Sequence, residues 1–125
     1  MTDPSFDLTQ AAKTAMEFRD ARDWKQFHSP RNLAAALAIE AAELQEIFLW
    51  REDESSEEIA NRPELMARIR DELADVMVLA LTLSSDLGIQ LNSAILEKIK
   101  KNGQRYTVEE FRGSARKAEH KNETG

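Results

Sequence analysis

Apolar side chains recur along most of this chain with the spacing expected for one face of an α-helix. The pattern predicts four helices, over about residues 8–22, 31–51, 61–86 and 91–102. Apolar residues at i, i+3, i+4 and i+7 predict helices that are each buried on one face. The predicted stripes are Leu8, Ala11, Ala12, Ala15 and Phe18; Leu33, Leu37, Leu44, Ile47 and Phe48; Leu65, Ile69, Leu73, Val76 and Leu83; and Leu91, Ala94, Ile95 and Ile99.

Residues that start and stop helices agree with this division. Short polar side chains suit the position before a helix, and glycine suits the position after one. The predicted N-caps are Asp7, Ser29 and Asn61, and the predicted stops are Gly88 and Gly103. Four helices joined by short or polar connections predict an all-α fold, a four-helix bundle.

Two stretches lie outside the helical pattern. "EDESSEEIANR", residues 52–62, is acidic and contains serine, so we expect a solvated linker or a mobile loop. Residues 113–125 have almost no apolar content and are predicted to be a disordered tail. Residues 1–112 are long enough for one core and are predicted to form one domain.

Composition excludes several classes of protein. A net charge of −6 argues against a dedicated binder of duplex nucleic acid, which needs a basic face. The absence of cysteine excludes disulfides and thiolate metal sites. The most apolar run, "LADVMVLALTL", contains Asp75 and is too short to span a bilayer. We see no secretory signal, and we therefore expect no membrane partner and a cytoplasmic location.

Paired carboxylates interrupt two of the apolar helices. Glu40 and Glu43 are three residues apart in the second helix, and Glu72 and Asp75 are three apart in the third. Each pair shares one helical face, and packed helices lie about 8–10 Å apart, so the two pairs can meet around one centre. Burying unpaired carboxylates is costly, and Mg²⁺ prefers such oxygen ligands together with substrate phosphates. The spacing therefore predicts a magnesium site.

Two other interpretations of these carboxylates were weighed. A single Glu-x-x-Glu on a helix is most often a solvated face, and Glu46 and Asp71 are interpreted as such solvated groups or as groups behind the ligands. A ferritin-like di-iron centre needs Glu-x-x-His on two helices. Neither His28 nor His120 follows a glutamate by three positions, so the di-iron interpretation fails.

The same residues resemble a known family. Glu-x-x-Glu followed after 28 residues by Glu-x-x-Asp is similar to the signature of the MazG-like all-α nucleoside triphosphate pyrophosphohydrolases. The stretches "ARDWKQFHSPRNL", "EAAELQEIFLW", "RDELADV" and "KIKKNGQRY" resemble the dCTP pyrophosphatase branch of that family. The resemblance covers roughly residues 7–110.

This resemblance implies an activity and its metal ligands. The activity is hydrolysis between the α- and β-phosphates of a nucleoside triphosphate, with release of a monophosphate and pyrophosphate. The expected substrates are dCTP or related deoxynucleotides. The resemblance places Mg²⁺, with Mn²⁺ as the alternative, on Glu40, Glu43, Glu72 and Asp75. Glu43 is the carboxylate that we expect to act on the attacking water.

The resemblance also implies substrate contacts. Phosphate contacts are expected from Lys98, Asn102, Arg105 and Tyr106, and base contacts from Trp24, His28 and Trp50. The residues alone favour more ordinary roles. They favour Lys98 as a lysine near a helix C-terminus, each tryptophan as an edge of the core, and His28 as a hydrogen-bonded surface group.

Two positions depart from the animal enzymes of that branch. This chain has Ala15 and Leu79 where they carry a histidine and a tyrosine, so a broader range of deoxynucleotides is open. A pyrophosphatase for dUTP or a phosphoribosyl-nucleotide shares the chemistry. A non-catalytic helical module that binds nucleotides or a protein is the alternative from another class.

The third helix is apolar almost all round between Val76 and Leu83, where Ala80 and Leu81 fill faces that a monomer would leave wet. A helix that is apolar on every side is buried on every side. We therefore expect a homo-oligomer, and the resemblance implies a dimer or a tetramer.

Overall fold

Regular secondary structure in this protein is helical throughout the part of the chain that the structure describes, residues 8–119 of a computed structural model. The helices are α1 (Thr9–Ala21), α2 (Pro30–Phe48), α3 (Ser56–Ala60), α4 (Pro63–Asp86), α5 (Leu91–Arg105) and α6 (Val108–Phe111), with a 3₁₀ turn at Lys25–Phe27. No strand occurs within residues 8–119. The predicted all-α class is confirmed, and the four predicted helices correspond to α1, α2, α4 and α5.

The chain divides into two compact units, with the boundary between Gln90 and Leu91. The first unit contains α1 to α4, and its largest interface joins α2 to α4. Helices α1 and α3 also pack against α4, which is therefore the central helix of this unit. The second unit contains α5, α6 and the residues after them. Within residues 8–119, no helix combines the length and the apolar content needed to cross a lipid bilayer.

The core of the first unit is small. Burying one aliphatic side chain fully contributes about 1.5–3 kcal/mol. The buried aliphatic residues of α2 and α4 are Leu33, Ile47, Leu65 and Leu81. Leu81 is only 4% exposed in the single chain. The prediction that a monomer would leave Leu81 exposed to water is therefore wrong. Leu73, predicted to face inward, is 51% exposed, as the rotation of α4 turns its side chain away from the core.

An ion pair joins α1 to α4 near the C-terminal ends of both helices. Nη1 of Arg19 lies 2.8 Å from both carboxylate oxygens of Asp86, and Arg19 is 5% exposed. Nε of Arg19 donates a further hydrogen bond to Asp20 at 3.2 Å. The periodic pattern did not single out Arg19, because an arginine on a helix is usually solvated.

The helix boundaries confirm some predicted caps and correct others. The Ser29 hydroxyl accepts a hydrogen bond from the Asn32 amide at 3.1 Å, as an N-cap does, and Gly88 follows α4 with φ +68°. The prediction for Asn61 is wrong: it follows α3, and Arg62 precedes α4. The predicted cap Asp7 lies outside the described residues.

The predicted linker is partly helical. Residues Ser56–Ala60 form α3, and the Ser55 hydroxyl accepts a hydrogen bond from the Glu58 amide at 3.2 Å. Arg62 also donates to Glu54 at 2.9 Å, which ties the two ends of the segment together. A helix this short escapes periodic analysis because its five residues make little more than one turn.

The second unit begins with α5, which runs through Gly103 to Arg105. The prediction that Gly103 ends the helix is therefore wrong; the Tyr106 amide still donates to the Asn102 carbonyl at 2.8 Å. Glycine inside a helix costs about 1 kcal/mol relative to alanine but does not forbid it. Residues 114–119 of the predicted tail have no regular secondary structure, and residues 120–125 lie outside the described residues.

Candidate metal centre

Three carboxylates meet where α2 packs along α4. One carboxylate oxygen from each of Glu40, Glu43 and Glu72 lies within 4.8 Å of the other two. The i, i+3 spacing places Glu40 and Glu43 on one face of α2, and Glu72 approaches them from α4. Sequence spacing predicted that these three residues share one centre, and the structure brings them together.

Burial leaves two of these oxygens without partners. Oε2 of Glu40 and Oε2 of Glu72 are buried and have no hydrogen-bond partner, whereas Glu43 is exposed. A buried carboxylate oxygen without a donor is costly unless a proton or a cation compensates it. Three oxygens at this separation, with no nitrogen or sulfur among them, suit a hard divalent cation such as Mg²⁺. The residues present therefore fit the ion that the family implies.

Crowding changes the protonation of this cluster. The pKa of Glu40 is raised from its ordinary value of 4.5 to about 7. The largest cause is the adjacent Glu43 carboxyl, with which Glu40 can share a proton, followed by burial, by Glu72 and by the negative charge of Asp75. A cation bound among these carboxylates would compete with that proton.

Asp75, the fourth predicted ligand, stands apart from the other three. It is exposed and does not belong to the group whose oxygens lie within 4.8 Å of one another. Its charge nevertheless contributes to the raised pKa of Glu40, so it lies within electrostatic reach. Its role as a ligand stays a prediction.

An open cavity adjoins the carboxylates. Its volume is about 460 Å³, and it is lined by Glu43, Glu46, Ile47, Arg68, Asp71 and Glu72. Glu46 and Asp71, interpreted from the sequence as solvated or as lying behind the ligands, are thus walls of this cavity. Arg68 supplies the one positive charge among its lining residues. No sequence motif singled out Arg68, although its position four residues before Glu72 on a helix places both on one face.

The residues predicted to contact a base lie elsewhere in the first unit. Trp24 packs edge-to-face on Phe18, with ring centroids 5.6 Å apart, and the Arg22 guanidinium lies 3.6 Å from the Phe18 ring centre. Trp50 is 94% exposed and has φ +65°. His28 is half-buried, and its Nδ1 has no hydrogen-bond partner. None of the three predicted base contacts lines the cavity beside the carboxylates.

The predicted phosphate contacts belong to the second unit. Lys98, Asn102 and Arg105 are exposed on α5, and the half-buried Tyr106 follows that helix directly. The Arg105 guanidinium lies 5.5 Å from the centre of the Tyr106 ring. Their approach to the carboxylates stays a prediction.

Comparison with known proteins shows which family the chain belongs to. The sequence profile of the MazG-like family matches residues 35–120, which include both pairs of carboxylates and α5. The chain belongs to the MazG-like family. The resemblance stated from sequence motifs is thereby confirmed.

Curated relatives in this family carry a more specific name. The chain is 39% identical over 112 residues to dCTP pyrophosphatase 1 of Rattus norvegicus, covering 90% of this chain and 66% of the relative. It is 42% identical over 99 residues to dCTP pyrophosphatase 1 of Bos taurus, covering 79% and 59%. Identity to the protein of the same name in Homo sapiens is 36% over 114 residues, covering 91% and 67%. The chain thus spans about two thirds of the length of the rat relative.

A solved structure has the same fold. The crystal structure of a pyrophosphatase from Archaeoglobus fulgidus DSM 4304 superposes with a TM-score of 0.71 at 33% sequence identity. The superposition covers 86% of this chain and 98% of the other. A fold alone does not assign a function, and here the likeness extends to sequence as well.

Proposed function

We propose that this MazG-like chain is a divalent-cation-dependent nucleoside triphosphate pyrophosphohydrolase, which releases a nucleoside monophosphate and pyrophosphate. The observation that carries the proposal is the approach of Glu40, Glu43 and Glu72 within 4.8 Å, with two buried oxygens that no donor satisfies. The names of the relatives, dCTP pyrophosphatase 1 and pyrophosphatase, support it.

In this proposal Glu40, Glu43 and Glu72, with Asp75 at the edge, hold the cation. Mg²⁺ is the ion best suited to an all-carboxylate set that shares its coordination with phosphates, and Mn²⁺ is the alternative. When bound, the cation neutralises phosphate charge and makes the phosphorus more electrophilic. The net negative cavity would otherwise repel a triphosphate.

Glu43 is proposed as the catalytic carboxylate. It is the exposed member of the three and lines the cavity, so it can reach both a water molecule and a substrate. A bond forms between the water oxygen and the α-phosphorus, the bond from that phosphorus to the bridging oxygen breaks, and Glu43 receives the water's proton. Pyrophosphate is the leaving group.

Positively charged and amide groups would hold the triphosphate. Lys98, Asn102, Arg105 and Tyr106 offer hydrogen-bond donors from α5 and the residue after it, and Arg68 offers a guanidinium in the wall of the cavity. Hydrogen bonds from charged donors to phosphate oxygens are stronger than those between neutral groups.

Trp24, His28 and Trp50 are proposed to surround the base. Stacking of a base on an aromatic ring contributes about 1–3 kcal/mol, and the exposed Trp50 indole is free for such a contact. Its left-handed backbone is uncommon for a bulky residue and is often found at functional sites. Ala15 and Leu79 are both half-buried, and they leave room for deoxynucleotides besides dCTP.

A homo-oligomer, as a dimer or tetramer, belongs to the same proposal. Large apolar side chains remain exposed in the single chain, and association with further copies would remove some of that surface from water. The most exposed of them, apart from Trp50, are Phe27, Ile39, Leu96, Ile99 and Val108.

A panel of nucleotides tests the activity. The purified protein is incubated with Mg²⁺ and each of the common NTPs and dNTPs, and pyrophosphate, orthophosphate and monophosphate are measured separately. We expect equal amounts of pyrophosphate and monophosphate, fastest with dCTP or its modified forms, and none after chelation of the metal.

Three other results of the panel would redirect the proposal. Orthophosphate as the sole inorganic product would overturn the activity. Tight nucleotide binding without turnover would favour a non-catalytic binding module. Fastest turnover of dUTP would keep the chemistry and change the substrate.

A further inference from the structure

Residues 113–118 turn back onto the end of α5, and we call this segment the strap. Nη2 of Arg105 donates a hydrogen bond to the Ala118 carbonyl oxygen at 3.2 Å. The Ala118 amide donates in turn to the Tyr106 hydroxyl oxygen at 3.3 Å. One peptide residue of the strap thus engages two neighbouring side chains through its backbone alone.

Local sequence explains why the chain turns back at this point. Gly113 has φ +72°, a conformation that glycine adopts without strain, and the Ser114 amide donates to the Phe111 carbonyl at 2.9 Å. The Arg116 guanidinium then lies 4.3 Å from the Phe111 ring centre, and Phe111 packs edge-to-face on Tyr106 with centroids 4.9 Å apart. The strap is held by ring contacts as well as by the two hydrogen bonds.

The contacts with the strap leave hydrogen-bond donors on Arg105 and Tyr106 available for an anion. Arginine has five N–H donors, and the strap uses one of those on Arg105. The Tyr106 oxygen accepts from the strap, so its own proton remains available, and a hydroxyl that accepts a hydrogen bond becomes a better donor. Phosphate oxygens accept hydrogen bonds only. The strap therefore does not compete for the groups that phosphate would use.

The strap also limits the motion of both side chains. Ordering a side chain with many rotamers on binding costs conformational entropy, and a long exposed arginine loses more of it than most residues do. Where the folded chain already holds the side chain, most of that cost is absent when the ligand binds.

We propose that the strap is a positioning element, which holds Arg105 and Tyr106 in the orientation that receives the phosphates of the substrate. The inference rests on the proposed function, because it takes these two residues as phosphate contacts. The inference adds a role for the backbone N–H and C=O of Ala118. The identity of the Ala118 side chain does not matter for this role.

Two shortened chains test the inference by kinetics. A chain that ends at Gly113 lacks the strap beyond its first residue, and a chain that ends at Glu119 keeps all of it and is the matched control. We expect the KM for the triphosphate to rise roughly tenfold in the first, from the lost order of two side chains. We expect kcat to stay within about twofold, and the control to match the full chain.

Point variants test the same contact without shortening the chain. Ala118→Pro removes the amide that Tyr106 accepts from, whereas Ala118→Ser keeps it and serves as the control. We expect a higher KM for Ala118→Pro. The rise that Ala118→Pro causes should be smaller in a chain that already carries Tyr106→Phe, because both changes remove the same hydrogen bond.

Tyr106 also provides a readout that does not depend on activity. It is the single tyrosine of the chain, so labelling with 3-fluorotyrosine gives one ¹⁹F resonance. We expect that resonance to move in the chain ending at Gly113 and in Ala118→Pro, and to stay in place in the chain ending at Glu119 and in Ala118→Ser.

The outcomes separate the two proposals. An active full chain whose KM is unchanged or lower after loss of the strap would overturn the positioning role alone. A full chain that releases no pyrophosphate from any nucleotide would overturn the proposed function, and the positioning role with it, even if the ¹⁹F resonance moves.

Discussion

Helix α4 carries acidic side chains in two opposite electrostatic surroundings. Near its C-terminus, both oxygens of Asp86 lie 2.8 Å from the Arg19 guanidinium. Three to four turns earlier, Glu72 presents a buried oxygen with no partner to two further carboxylates. The negative charge at the C-terminal end of α4 is therefore compensated by another side chain of the protein, whereas the negative charge in the middle of α4 is not.

The difference between these sites shows what each is suited for. The hydrogen bond from Arg19 to Asp86 stabilises the charged guanidinium and raises the pKa of Arg19 further above neutrality. In the carboxylate cluster the neighbours disfavour ionisation, and the pKa of Glu40 rises to about 7. A carboxylate cluster that is unfavourable by itself becomes favourable with a cation, and this supports the proposed metal site.

Among substitutions in these two acidic sites, we expect the largest effect on activity. Glu43→Gln should lower the rate of pyrophosphate release by about 10²–10⁴-fold, the usual contribution of a positioned acid–base group. Its thermal unfolding temperature should stay the same or rise, because one of three repelling charges is gone. Kinetics and thermal unfolding on the same sample check both.

Glu17→Gln, an exposed carboxylate on α1, is the control for Glu43→Gln and should change neither quantity. If Glu43→Gln instead lost stability in proportion to its lost activity, Glu43 would be a structural residue.

The next largest effect is on stability and concerns the compensated pair. Arg19→Met should lower the free energy of unfolding by about 1.5–3 kcal/mol, since it removes the charged hydrogen bonds between the buried guanidinium and Asp86. Arg19→Met combined with Asp86→Leu should recover much of the loss. Urea unfolding curves measure the changes.

Lys13→Met on the exposed side of α1 is the control for the removal of a positive charge and should shift the curve little. The rate per folded molecule should stay that of the unmodified protein in all of these variants. A large fall in that rate for Arg19→Met would show that the pair supports the active geometry as well.

The smallest effect expected is a dependence of stability on pH. Because the pKa of Glu40 is higher in the folded chain than its ordinary value of 4.5, the folded state holds an extra proton between that pH and about 7. The contribution of Glu40 to stability is therefore full at low pH and is lost as the pH rises through 7.

Thermal unfolding of the metal-free protein between pH 5 and pH 8 measures this loss, and Glu40→Gln should flatten the dependence. Saturating Mg²⁺ should reverse it, because a cation that displaces the proton binds better at higher pH. Equal stability across the range, with and without the cation, would mean that Glu40 does not carry the shared proton.

Most of the local structure could be predicted from the sequence. The 3.6-residue period places apolar groups on one face regardless of the partner helix, so α1, α2, α4 and α5 were predicted at about their observed positions. The i, i+3 spacing likewise placed Glu40 and Glu43 together before any packing was known. Ser29 and Gly88 act locally and were predicted for the same reason.

Only the packing of α4 against α2 and α1 decided the remaining features. Residues on a helix turn by about 100° each, so the rotation of α4 that aims Glu72 at Glu40 carries Asp75 about 60° away. The same rotation buries Leu81 and exposes Leu73, which lie about 80° apart around the axis. Arg19 pairs with Asp86, which lies 67 residues further along the chain. Helical periodicity carries no information over that separation.

The amino-acid sequence by itself therefore determined which faces of each helix are apolar and which carry paired carboxylates. Tertiary structure alone decided which carboxylates converge and which charge is compensated. The physical reason is that helical periodicity depends on neighbours three or four residues away, whereas the rotation of one helix against another depends on how all of their side chains pack together.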